Sequence, residues 1–277
     1  MHIRNSLMLS TSLAALLVAA APLGALADPN YSSLPAVSGL NGKIAVFGGD
    51  VEDEGMGGVM GSVTAPIGER FGLQIDGMAG SADDSFFGVA GHLFWRDPAV
   101  GLVGLYGSYA SWDYHSTSPA IVISNGVFDT TGAEVSRIGI EGQLYLDRFS
   151  LEGIAGIHSG DLEGSFGKAT LAFYATDNLR FDVSVAGSDY GTISSAGVEW
   201  MPEAGSAISL FADGTFSSDD QRVFGGVKFY LSGEQKSLIR RHREDDPDNE
   251  LPFDLFQIVG NEHCPAGTNF YPYDGCL

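Results

Sequence analysis

Cysteine is nearly absent. The 277 residues contain two, Cys264 and Cys276, both close to the C-terminal end. Their spacing matches no zinc site, and in an exported chain the pair reads as one disulfide closing a short loop. Basic residues are scarce as well: 14 Lys and Arg stand against 35 Asp and Glu, a formal net charge of -21. That deficit excludes a nucleic-acid partner, which needs a basic footprint. No apolar run has the length and flanks of a transmembrane helix, and no long stretch carries helical periodicity. The six histidines show no metal-ligand spacing. Neither a metal nor a cofactor is expected.

What is present begins with an export signal. Met1-His2-Ile3-Arg4 supplies a positive start, Leu7 to about Ala21 an apolar core, and Ala25-Leu26-Ala27 a small-x-small cleavage site before Asp28. Residues 1–27 are therefore read as a signal peptide and 28–42 as a periplasmic lead. No cysteine stands at the site to carry a lipid anchor.

From 43 to 231 the chain repeats one theme, short stretches of alternating apolar and polar residues divided by turn residues. About twelve can be counted. In "VSRIGIEGQLYL", Ile138, Ile140, Leu144 and Leu146 share one parity, while Arg137, Glu141, Gln143 and Tyr145 share the other. Successive strand side chains point to opposite faces, so each such strand has one apolar and one polar face. The links alternate too. "GGDVEDEGMGG", "GSADDSF", "HSGDLEGS" and "SSDDQ" are acidic and rich in Gly and Ser. "IGERFG", "WRDPAVG", "YLDRFS", "ATDNLR" and "MPEAGSA" are tight. Loops at one end and short turns at the other are the habit of outer-membrane barrels, whose short turns are periplasmic. Aromatics flank the tight turns, and Phe71, Trp95, Tyr145, Phe149, Phe173, Tyr174, Phe181, Trp200, Phe229 and Tyr230 are expected to form an interfacial ring. Phe87, Tyr109, Trp112 and Tyr190 would make a sparser set at the other rim.

The expected fold is all-β: a closed, antiparallel, up-and-down transmembrane β-barrel of about twelve strands. Lipid offers no hydrogen bonds, so strands cross it only as a closed sheet. From residue 43 to 231 the chain resembles the bacterial outer-membrane β-barrel superfamily in its porin-like, small-barrel style. The stretch "RVFGGVKFYL" resembles the closing-strand signal of that superfamily, although here the chain continues to Leu277. The resemblance implies a Gram-negative outer-membrane location, membrane lipid and lipopolysaccharide as surroundings, and the barrel-assembly machinery as a partner during insertion.

Parity directs a mixed set of charges inward: Lys43, Asp76, Arg137, Glu141, Glu152, Lys168, Arg180, Asp182, Glu199, Asp213, Arg222 and Lys228. Two readings of that lumen stand side by side, a hydrated path for small solutes or ions and an ion-paired, filled, non-conducting interior. In the link after Asp113, Asn125-Gly126 between Ile121-Val122-Ile123 and Val127-Phe128 signals a hairpin, either prolonging neighbouring strands or folding into the mouth. Asp50, Glu52, Asp53, Glu54, Asp83 and Asp84 make an acidic rim without the ligand order of an EF-hand. His158-Ser159-Gly160-Asp161 has residue types found in lipid hydrolases, but strand neighbours point apart and no catalytic site is assigned. The tail, 232–277, pairs a basic cluster, Arg240-Arg241-His242-Arg243, with "EDDPDNE", and is expected to be a largely disordered periplasmic segment ending in the disulfide loop. The functional expectation is a porin-like passive channel or envelope component, not an enzyme. An exported soluble or surface β-sandwich binding module is the alternative, and a lipid-modifying barrel enzyme the third reading.

Overall fold

A computed structural model of the chain describes residues 34–51, 54–82, 84–113, 120–123, 126–129, 132–188, 191–217, 221–231, 235–259, 270–271 and 275–276. The expected signal peptide and Cys264 of the expected disulfide lie outside them.

The chain forms β1 (Asn41–Val51), β2 (Glu54–Ile67), β3 (Phe71–Ala82), β4 (Asp84–Asp97) and β5 (Gly101–Asp113). A separate hairpin follows, β6 (Ala120–Ile123) with β7 (Gly126–Asp129). Then come β8 (Gly132–Leu146), β9 (Phe149–Gly160), β10 (Gly164–Thr176), β11 (Leu179–Ser188), β12 (Gly191–Trp200), β13 (Ile208–Phe216) and β14 (Gln221–Tyr230). All but the hairpin join one closed antiparallel barrel of twelve strands. Closure comes from β1 against β14, in register from Lys43↔Tyr230 to Val51↔Arg222. One closed sheet is not two packed sheets, so the β-sandwich alternative is overturned.

Parity decides the faces. Ile138 and Ile140 are 63% and 64% exposed, while Arg137 and Glu141 on either side of them are 4% and 8% exposed. The same division runs round the wall, with Ile44, Val63, Ile75, Leu105, Val183 and Val223 outward. An apolar belt of this kind is costly in water and suits hydrocarbon. At the tight-turn end Phe71, Trp95, Phe149, Phe173, Phe181, Trp200 and Phe229 face outward as an aromatic girdle. Tyr145, Tyr174 and Tyr230 do not belong to it, and Trp112 does not belong to the opposite rim. All four are buried inside the barrel, because each lies on the inward parity of its strand.

The strands run further than the acidic links suggested. Val51 still pairs with Glu54 and Ala82 with Asp84, so "GGDVEDEGMGG" and "GSADDSF" are mostly paired strand. Gly, Ser and Asp keep their backbone groups satisfied in the ladder there, and link length no longer separates the two ends. The exception is the link from β5 to β8. Its hairpin pairs only with itself, in register from Ala120↔Asp129 to Ile123↔Gly126, and Asn125 of the expected turn lies outside the described residues. At the tight end, Asp147 takes φ 48° between β8 and β9, a conformation that Asp tolerates.

Inside the barrel lies the largest departure from expectation. Residues 236–255, read as part of a disordered periplasmic tail, pass into the barrel as α1 (Leu238–Glu244), an extended stretch and α2 (Leu251–Val259). Twelve strands enclose more space than wall side chains fill, and this segment occupies it. Pro247 lies in the extended stretch and Pro252 in the first turn of α2, where proline is tolerated.

Candidate functional site

Helix α1 lies across the tight-turn mouth and satisfies its own ends there. Its first amides have no partner within the helix. Leu238 N donates to Asn178 Oδ1 at 3.1 Å and Ile239 N to Asp177 O at 3.0 Å, both in the β10–β11 turn. Arg241 donates to Ser206 O (3.2 Å) beyond β12, and Arg243 to Asp147 O (2.6 Å) and Phe149 O (3.0 Å). The inward tyrosines receive the same helix. Arg241 stacks over Tyr230 at 4.5 Å and Arg243 over Tyr145 at 5.1 Å, while Tyr174 Oη meets His242 Nδ1 at 2.9 Å. Residues 36–38 complete the cap: Ala36 N donates to Glu69 O, Arg96 to Ala36 O, and Ser38 Oγ to Asp245.

Above the cap, tail carboxylates meet wall cations in order. Asp246 pairs with Lys43, Asp248 with Arg180 (2.7 Å), Glu250 with Lys168 (2.7 Å) and Asp254 with Arg137. Asp254 also accepts from Tyr106 Oη and from Ser108 Oγ, the latter at 2.5 Å. The Pro247 carbonyl takes Lys43 Nζ and Gln74 Nε2. Asn249 Oδ1 caps α2 by accepting from Leu251 N (2.9 Å), and Trp112 Nε1 donates to Leu255 O (2.9 Å).

Magnitudes separate adhesion from register. A buried ion pair gains about what it loses in desolvation, so its net worth lies near zero. Fully burying a leucine contributes about 1.5–3 kcal/mol. Leu238, Leu251 and Leu255 have no exposed surface, so they hold the tail while the charges fix where it sits. Gly88 makes room for two of them: a Cβ there would lie 3.0 Å from Leu251 Cδ2 and 3.3 Å from Leu255 Cδ1.

Most of the remaining inward charges find partners on the wall. His92 bridges Asp76 and Glu141, 2.8 Å from each. Lys228 reaches Glu199 at 2.5 Å, and Glu199 also accepts from Tyr230 and Ser209. Arg180 reaches Glu152 at 3.5 Å and Asp182 at 3.7 Å. Arg222 is buried, facing inward. Asp213 makes no hydrogen bond or ion pair among the described residues; it stands beside Asp182 across Gly197.

The tail leans on β3–β5 and leaves a cavity of about 160 Å³ against β10–β14 and β1–β2. Lys43, Ser62, Thr170, Asp182, Ser195, Asp213 and Lys228 line it, with Asp248 and Asn249 of the tail. Its volume and polarity suit a chain of waters. His158 and Ser159 are not brought together: His158 is buried and stacks on Phe166, while Ser159 is exposed. Among the described residues no group of acids and histidines has metal-binding geometry.

The sequence reading missed the tail carboxylates, Tyr106 and Ser108. One signal was available: Asp246, Asp248 and Glu250 alternate with the period of an extended chain, and the inward set holds cations for them.

The geometry is that of a closed, antiparallel twelve-stranded β-barrel filled by a segment of its own chain. The chain matches no protein-family model and no curated protein in sequence. Among solved structures it is similar to the KdgM porin in complex with disordered oligogalacturonate, with TM-score 0.51 and 10% identity over 68% of this chain and 98% of that one. A second structure of the KdgM porin gives TM-score 0.50 with the same identity and coverage. At that identity the likeness establishes the fold alone.

Proposed function

We propose that this protein is a non-enzymatic, porin-like barrel of the bacterial outer membrane, narrowed by its own C-terminal segment to a restricted path for water and small ions. The observation that carries this reading is the polar cavity beside the docked tail, lined by wall charges that pair with the tail or with one another and by Asp213, which makes no ion pair among the described residues. Outer-membrane lipid and lipopolysaccharide surround the belt, and the barrel-assembly machinery inserts it by reading β14. Tight turns and the α1 cap face the periplasm, and the β6–β7 hairpin faces outward.

Planar-bilayer recording of the full chain beside a chain ending at Leu231 tests the proposal. The full chain should pass small currents and the shortened one several-fold larger currents, because the lumen loses its filling. A shortened chain that folds and inserts yet stays silent across voltages would leave an envelope scaffold instead of a channel.

A further inference from the structure

We infer that the tail screens an anion-accepting lumen: with its carboxylates withdrawn from the wall, the path takes small anions in preference to cations. The inference deepens the proposed channel and rests on that reading. It starts from an asymmetry in how the inward cations are partnered. Lys228 has a wall carboxylate, Glu199, at 2.5 Å, and Arg180 has Glu152 at 3.5 Å and Asp182 at 3.7 Å on the wall. Lys43 and Lys168 form no ion pair with a wall carboxylate among the described residues. Their partners are Asp246 and Glu250 of the tail, the latter at 2.7 Å. Further tail groups lie against both: Lys43 Nζ donates to Pro247 O at 3.3 Å, and Lys168 Nζ stands 5.4 Å from the centre of the Phe253 ring. Both lysines line the cavity.

The tail brings charge of one sign to this place. From Asp246 to Leu255 it carries Asp246, Asp248, Glu250 and Asp254, and neither lysine nor arginine. Its withdrawal therefore takes four negative charges out of the lumen and no positive one. The wall persists without it, because every barrel strand pairs with two neighbouring strands and β1 with β14 closes the ring. Around the cavity that wall then presents four cations, Lys43, Lys168, Arg180 and Lys228, against three acids, Asp182, Glu199 and Asp213. Glu199 is held by Lys228, while Arg180 loses its closest carboxylate, Asp248 at 2.7 Å. The sign of the lining thus turns from negative to positive as the tail departs. Charges of one sign in a narrow lumen with low-dielectric walls raise the local concentration of the opposite ion. The groups that Lys43 and Lys168 hold in the structure are carboxylates, so small carboxylates join chloride among the solutes that suit the open path.

The test compares reversal potentials in a potassium chloride gradient for the full chain and for its full-length variant D246N/D248N/E250Q/D254N. The ratio of chloride to potassium permeability should rise at least about fivefold in the variant, the attraction of one unit charge at about 4 Å in water. L251A with L255A, which loosens the tail without touching a charge, should shift the ratio the same way. Adding K43Q and K168Q to the first variant should return the ratio toward that of the unsubstituted chain. A second readout needs no current. Trinitrobenzenesulfonate, a small anionic amine reagent, should modify Lys43 and Lys168 in the variant but not in the unsubstituted chain, with Lys228 resistant in both. Conduction at an unchanged ratio, in a variant whose two lysines react, overturns the anion preference and spares the channel. Lysines that stay unreactive in a folded variant overturn the screening. Silence in every chain defeats the channel reading, and the anion path with it.

Discussion

Replacing Asp254 by Asn isolates what the tail charges do. Asp254 is 1% exposed and accepts from Arg137, Tyr106 and Ser108. Asparagine keeps its size, yet it removes the charge opposite a guanidinium that is itself 4% exposed. Removing one partner of a buried pair costs about 3–5 kcal/mol. The barrel need not unfold to escape that cost, since the tail can leave and let water reach Arg137. The penalty therefore falls on docking and shifts its equilibrium by at least about a hundredfold, at 1.4 kcal/mol per factor of ten. Hydrogen exchange of the amides from Asp246 to Leu255 reads that shift, with the barrel strands as internal reference. Arg137→Met in the same chain should restore most of the protection, because neither charge is then stranded. Unchanged protection in Asp254→Asn, with a folded barrel, would refute the assignment of register to these charges.

Ile140→Arg should impair insertion by about 2–4 kcal/mol, the cost of a cation near the bilayer midplane, whereas Gln143→Arg should be tolerated because Gln143 faces inward opposite Glu152; heat-modifiable mobility on gels compares the two. Gly226→Ala should weaken barrel closure, since its Cβ would lie 2.0 Å from the Val46 carbonyl across the β1–β14 seam, and the folded band should melt earlier. Glu141→Gln should lower stability more than ion selectivity, because Glu141 holds His92 and stands apart from the cavity; thermal melts and reversal potentials separate the outcomes.

Strand periodicity made the barrel legible, since a membrane barrel writes its two solvents into alternate residues. The same periodicity sorted Ile138 from Arg137. It misplaced Tyr145, Tyr174 and Tyr230 because nearness to a turn was weighed above parity. The tail was harder to read for a physical reason. Its acidic run looks solvated when taken alone, and only the closed wall brings Lys43, Arg137, Lys168 and Arg180 within reach of it. The alternation of Asp246, Asp248 and Glu250 does not by itself name the distant cations that face them. The apolar anchors Leu251 and Leu255 gave a hint of docking, but Gly88, which admits them, carries no side chain to announce the pocket. Acidic links misled similarly: Gly, Ser and Asp suggest turns, yet a ladder between neighbouring strands satisfies them as well.

The central claim, that this barrel is filled by its own C-terminal segment, is tested most directly by a covalent link between Gly88 and Leu251. In a C264S/C276S background, G88C and L251C place two thiols where the glycine Cβ position and Leu251 are in contact. Oxidation in native membranes, or bridging by a short bifunctional maleimide, should join β4 to the tail in most molecules. Protease cleavage between the two positions should then leave the fragments connected. Two thiols that stay separate in a folded barrel, both open to soluble maleimide, would contradict the account.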